Sequence, residues 1–211
     1  MELSKMAVET INRENELALW LMVSSPRPVT NEWIMDHYQI DMATLHQDLA
    51  VIKDFASTFR LTLNPEFDQL SIYGHENDIQ QAMLFILMDL HGQASDKKNY
   101  LPQEPFGTQR LTNVINNGID NLAAFTDLSD ASKTDLANYL WTLTLRYHFG
   151  VVKHAHFQQL FTHKQAHTIE AYDQLFKWSE RMLNDLSQLY RDFDFPELET
   201  YLLTLRVWLN K

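Results

Sequence analysis

The sequence predicts a mainly α protein in which three short helices and a small β-hairpin precede an all-α helical bundle. Three observations support this. Apolar residues recur at helical spacing along most of the chain. Glycine occurs only 5 times and proline 6 times in 211 residues, too sparse a punctuation for an all-β sandwich or barrel. One short region alone alternates apolar and polar residues, around a turn.

Taken in order, Asn15 to Ser25 reads as an amphipathic helix that Pro26-Arg27-Pro28 stops. Thr30 can cap a second helix, Asn31 to Gln39, because its hydroxyl can accept a free N–H of the first turn. After a break at Ile40, Asp41 caps a third helix, Met42 to Thr58, with Leu45, Leu49, Ile52 and Phe55 at three- and four-residue intervals. Arg60 to Leu63 and Gln69 to Tyr73 alternate as strands, with Asn64 to Asp68 as their turn. Three helices followed by a hairpin is the order of a winged helix-turn-helix.

A helix from Ile79 to about His91 leads away from the hairpin. Gly92 to Gly107 then concentrates Gly, Pro, Ser and charge and reads as a linker. The expected domains are therefore residues 10–91 and 104–211. In the second, helices are expected over Thr108 to Phe125, Ser129 to Gly150, Ala155 to Phe161, His167 to Tyr190 and Pro196 to Trp208.

Composition narrows function. With 45% hydrophobic and 12% aromatic residues the chain can build packed cores. The absence of cysteine excludes disulfides, thiolate metal sites and a cysteine nucleophile, and fits a reducing compartment. The charged N-terminus is unlike a signal peptide, and the apolar run Ala82 to Leu90 is much shorter than the roughly 20 residues of a membrane span, so a cytoplasmic protein without membrane contact is expected. The net charge of minus 11 opposes generic attraction to nucleic-acid phosphates.

Two stretches carry a resemblance. Pro28-Val29-Thr30, Ile40-Asp41-Met42-Ala43-Thr44-Leu45-His46-Gln47-Asp48-Leu49 and Ile72-Tyr73-Gly74-His75-Glu76 resemble the entry, recognition helix and wing end of the helix-turn-helix domains of BglG-type and Mga-type bacterial regulators. Asn138-Tyr139-Leu140 with Arg146 and Gly150 is similar to the first motif of the phosphotransferase-system (PTS) regulation domain (PRD), and Glu199 to Arg206 to its closing motif. The spacing holds, but Tyr139 and Arg206 stand where the phosphorylatable histidines belong. The order of the two domains agrees as well, and the second of the family's two helix-turn-helix domains followed by one PRD is the arrangement implied, so that this chain would be a fragment.

The resemblance implies transcriptional control of sugar-uptake or related operons, DNA as a partner, phosphotransferase-system proteins as possible partners, and homodimerisation through the bundle. Thr44, His46, Gln47 and Lys53 are the DNA-reading candidates of the third helix, and Tyr139, Arg146, Glu199 and Arg206 the regulatory positions. Met1 to Asp78 nevertheless contains five basic residues against thirteen acidic, a difference of minus 8, which repels duplex DNA. A protein-interaction module without nucleic-acid contact is therefore the alternative.

Among the histidines, His163 and His167 are spaced i, i+4 and could face one side of a helix, near His154 and His156. No H-E-x-x-H arrangement supplies a base, and solvated helix ends are the expected role. Phosphate loops and G-x-S-x-G elbows are absent from the sequence, and Asp127 to Asp130 and Asp192 to Asp194 read as caps and turns. No metal, cofactor or catalytic residue is expected. Trp20, Trp141, Trp178 and Trp208 fall on apolar faces, and Leu205 to Leu209 is expected to stay partly exposed, toward a second protomer.

Overall fold

The computed structural model describes residues 2–93, 109–152, 160–190 and 193–210. The fold is mainly helical, with a small open three-stranded sheet and a larger helical bundle. The chain divides into two compact units, Met1–Pro102 with Phe149–Val152, and Gln103–His148 with Lys153–Lys211.

In the first unit α1 spans Glu2–Ser24 and buries Leu17, Leu19, Leu21, Met22 and Val23. It begins well before the expected Asn15. No Gly or Pro interrupts the residues ahead of Asn15, so helix persists there without the apolar periodicity that marks its later turns. The two residues of β1, Val29–Thr30, pair antiparallel with β3. Thr30 ends β1 and also caps α2 (Asn31–Tyr38), its Oγ1 accepting from the Trp33 N–H at 3.2 Å. Gln39 closes α2 in the left-handed conformation with φ 51°. Asp41 then caps α3 (Met42–Thr58) through the Thr44 N–H at 2.8 Å, a bond to the ionised form that lowers its pKa.

The hairpin is longer than its alternation suggests. β2 is Thr62–Glu66 and β3 is Gln69–Tyr73, paired antiparallel from Thr62 opposite Tyr73 to Glu66 opposite Gln69, so only Phe67 and Asp68 form the turn. Pro65, expected in the turn, lies in β2. The strand order β1-β3-β2 puts β2 at an edge, where a residue lacking an N–H is tolerated. Arg60, expected to start the strand, has φ 58° and belongs to the preceding turn. α4 (Glu76–Gln93) follows. Leu45 and Ile52 of α3, Leu70 and Ile72 of β3, and Ile79, Met83 and Leu87 of α4 join α1 and Ile34 in the core. Ser25 Oγ donates to Ile72 O at 2.6 Å, and the Val151 N–H donates to Ser25 O at 3.1 Å.

In the second unit α5 (Gln109–Ala123) buries Leu111, Ile115, Ile119 and Leu122, one face of a 3.6-residue repeat. α6 (Asp130–Phe149) differs: every residue from Asn138 to Arg146 is buried, which leaves no solvated face along that stretch. α7 (His163–Glu170) and α8 (Asp173–Tyr190) replace the single expected helix from His167. Thr162 starts α7 with a capping box, accepting from the Gln165 N–H while the Gln165 side chain accepts from the Thr162 N–H. α9 is Glu197–Leu209. α8 packs against α5 and α9, and α7 against α9. Trp178 of α8 donates its Nε1–H to Gly118 O at 2.8 Å. A Cβ at Gly118 would overlap Met182 Sδ, so glycine permits this close approach.

The expected helix from Ala155 lies, apart from Leu160 and Phe161, outside the described residues, as does most of the expected linker. Among the described residues no helix is long and apolar enough to cross a membrane.

Candidate functional site

The sequence singled out one face in each unit. On α3, His46, Gln47 and Lys53 are exposed and Thr44 is half-buried, its N–H bound to the Asp41 cap. Lys53 is the one formally positive side chain on this helix; Asp54 next to it and Asp41 at the helix start are exposed. Asp48 faces the opposite way. Its two carboxylate oxygens accept from Arg13 Nε and Nη2 of α1 at 2.7 and 2.8 Å, and its side chain is only 2% exposed. The Asp of the x-x-D-L pattern therefore holds α3 to α1 and leaves the exposed face to other residues.

The second face lies between α6 and α9. Ser132 meets Asn210, Asp135 meets Arg206, and Tyr147 meets Glu199, an order that runs the two helices antiparallel. Tyr139 and Arg206 are brought together. The Arg206 guanidinium carbon lies over the Tyr139 ring, 4.3 Å from its centroid, in cation–π geometry. Arg206 Nη2 also donates to both Asp135 carboxylate oxygens at 3.0 and 3.2 Å. Glu199 is buried and accepts from the Tyr147 hydroxyl at 2.8 Å.

Burial pushes the Tyr139 hydroxyl well above the usual phenol range, and the charge of Glu199 adds to this while Arg206 opposes it. The ring stays neutral and presents its face to a permanent cation. Arg146, the remaining motif position, is 1% exposed. Sequence reasoning missed Asp135 and Tyr147. Asp135 carries a faint signal, standing one helical turn before Tyr139; Tyr147 has none, because its partner is distant in the chain.

His163 and His167 do fall on one helix, α7, and both are exposed. His167 Nδ1 lies 3.7 Å from Glu170 Oε2, while Glu170 Oε1 accepts from the Tyr201 hydroxyl. Among the described residues no three His, Cys, Asp or Glu side chains are grouped to hold a metal ion; His154 and His156 lie outside those residues. An open cleft of about 570 Å³ is lined by Phe125, Asp127, Tyr172 and Asp173 among others. Asp173 is bound to Lys177 at 2.8 Å. None of the α6–α9 cluster forms the wall of this cleft.

No protein-family model matches the chain, and no curated protein matches it either.

Proposed function

We propose that the chain is a transcriptional regulator of the BglG/Mga type, or the regulatory arm of one, whose switch is fixed in one state. In this reading the first unit is a winged helix-turn-helix and the second a PRD-like bundle that controls dimerisation and so aligns two DNA-reading units on paired half-sites. The observation that supports it best is the Tyr139–Arg206 contact at 4.3 Å. The two positions matching the family's motif histidines face one another across antiparallel helices. A phosphohistidine would add negative charge between such helices and change how they associate. Tyr139 lacks the imidazole nitrogen that phosphoryl relay needs, and Arg206 supplies a fixed positive charge instead.

The test is phosphoryl transfer from a labelled phosphotransferase-system phosphocarrier. The native chain is expected to take up no label. Arg206→His, at a part-exposed position, is expected to gain it. Label on His148 or His163 of the native protein would overturn the fixed-switch reading.

One observation favours a second reading, a protein-interaction module without nucleic-acid contact: the exposed face of α3 offers a single lysine among carboxylates. Anisotropy titration of the chain against duplex DNA at two salt concentrations separates the two. Two phosphate contacts would give a log–log slope of about −1.8, so a fourfold rise in salt should weaken binding roughly tenfold. Absence of binding at low salt would leave the interaction module as the better reading.

A further inference from the structure

The geometry points to the cleft beside the C-terminal end of α5 and the N-terminal end of α8 as a binding site for a weakly hydrated organic cation, a quaternary ammonium or a guanidinium. Two turns build it: Phe125 to Asp127 follow α5, and Ala171 to Asp173 join α7 to α8. Its volume of about 570 Å³ falls in the range of small-molecule sites. Its walls combine aromatic rings with carboxylates. Phe125 is 44% exposed although apolar. Tyr172 is half-buried and rests against Trp208, outside the lining, with ring centroids 5.4 Å apart. Asp127 is exposed and has no hydrogen-bond or ion-pair partner among the described residues, whereas Asp173 meets Lys177 at 2.8 Å.

Charge decides the sign of the ligand. The lining holds two carboxylates and no Lys, Arg or His. Helix ends act in the same direction. α5 stops at Ala123 with no basic residue in its last turn, and α7 stops at Glu170, so two helices have their negative ends at these turns. The basic group of the last turn of α7, His167, lies 3.7 Å from Glu170. The positive end of α8 already carries the Asp173 carboxylate in its first turn. An anion is repelled here and a cation is not. The rings decide the kind of cation. A hard divalent ion takes roughly six to eight oxygen ligands, and no third metal-ligating side chain joins the two carboxylates among the described residues. A quaternary ammonium or guanidinium gives up little hydration and is attracted to an aromatic face, which suits it to Phe125 and Tyr172. The site shares no residue with the Tyr139–Arg206 pair and does not depend on the regulatory reading above.

Titration of the full chain with choline, followed through amide NMR shifts, tests this. Choline is expected to move the amides of residues 125–127 and 171–175, which line the cleft. Its uncharged isostere, with carbon in place of the nitrogen, should bind at least roughly threefold more weakly, the scale of one exposed cation–π contact. Phe125→Leu and Asp127→Asn, both at exposed positions, should each weaken choline binding by a similar factor with an unchanged helical spectrum. Should Phe125→Leu fail to fold, Asp127→Asn gives the same readout. N-acetylarginine amide is the second probe. Binding of choline alone supports a free small molecule as the ligand, binding of the arginine derivative alone supports a side chain of another protein, and binding of both supports the site for either source. Failure of both probes to move these amides at every concentration reached overturns the inference. So does equal binding of the uncharged isostere, which would make the cleft merely apolar. A response to sulfate that neither cation gives also overturns it, and would assign the cleft to the N-terminus of α8.

Discussion

Replacing Arg13 with alanine is expected to destabilise the first unit by about 3–5 kcal/mol, the cost of removing one partner from a buried ion pair. Asp48→Ala should cost less. The asymmetry follows from the burial of the two partners. The Asp48 side chain is 2% exposed and that of Arg13 20%. Without Arg13, a carboxylate that is almost wholly buried loses its partner. Without Asp48, a long side chain that already reaches the surface can turn its charged end outward. Truncating both residues should then cost less than the sum of the single changes, and a double-mutant cycle measures the difference. Urea unfolding followed by amide exchange in α1 and α3 provides the readout.

The same pair sets a pH dependence. Burial holds the Glu14 carboxyl above its usual range, the Asp48 charge raises it further, and Arg13 pulls it down. Deleting Arg13 removes the lowering influence, so the Glu14 pKa should rise again. A carboxyl whose pKa is higher in the folded than in the unfolded chain opposes folding while ionised, and that opposition disappears once it is protonated. The stability gap between Arg13→Ala and the native chain should therefore narrow as pH falls through the carboxylate range. A gap that stays constant, or widens on acidification, would show that the lost contact is packing and not charge.

Local chemistry made the first unit legible where one side chain decides the backbone. Thr30 and Asp41 each announce a helix start because a short polar side chain there satisfies an N–H that the helix cannot, and both caps are present. Tertiary structure decided the rest. Two residues carry no alternation, so β1 is visible only through its pairing with β3. Pro65 signals a turn unless its strand is known to be an edge, which depends on strand order and not on neighbours in sequence. No Gly or Pro separates Ile169 from Asp173, so the break between α7 and α8 has no local mark. The site shows the same division. Arg146, Tyr139, Glu199 and Arg206 were found by resemblance, whereas the contact between Tyr139 and Arg206 depends on how α6 and α9 pack. Phe55 has the spacing of a core residue in α3, yet it lies half-buried under an exposed aromatic face, because periodicity identifies an apolar stripe without saying what covers it.

The second large effect lies two residues beyond Tyr139. Trp141 is completely buried, and its Nε1–H has no hydrogen-bond partner among the described residues. Two opposing energies meet in this side chain. The ring fills space in the stretch of α6 that has no solvated face, and truncating it to alanine should cost roughly 3–5 kcal/mol through lost transfer energy and a residual cavity. The donor works against that gain, since an unsatisfied buried N–H costs about 1–3 kcal/mol. Trp141→Phe keeps most of the ring and deletes the donor, so its smaller cavity is offset and the variant is expected within about 1 kcal/mol of the native chain. Thermal and urea unfolding of the two variants measure the difference. A phenylalanine variant as unstable as the alanine variant would mean that the indole N–H is satisfied in solution, by water or by a rearranged neighbour. Near-native stability would instead establish that α6 buries an unsatisfied polar group at Trp141, whose contribution is the apolar packing of its ring.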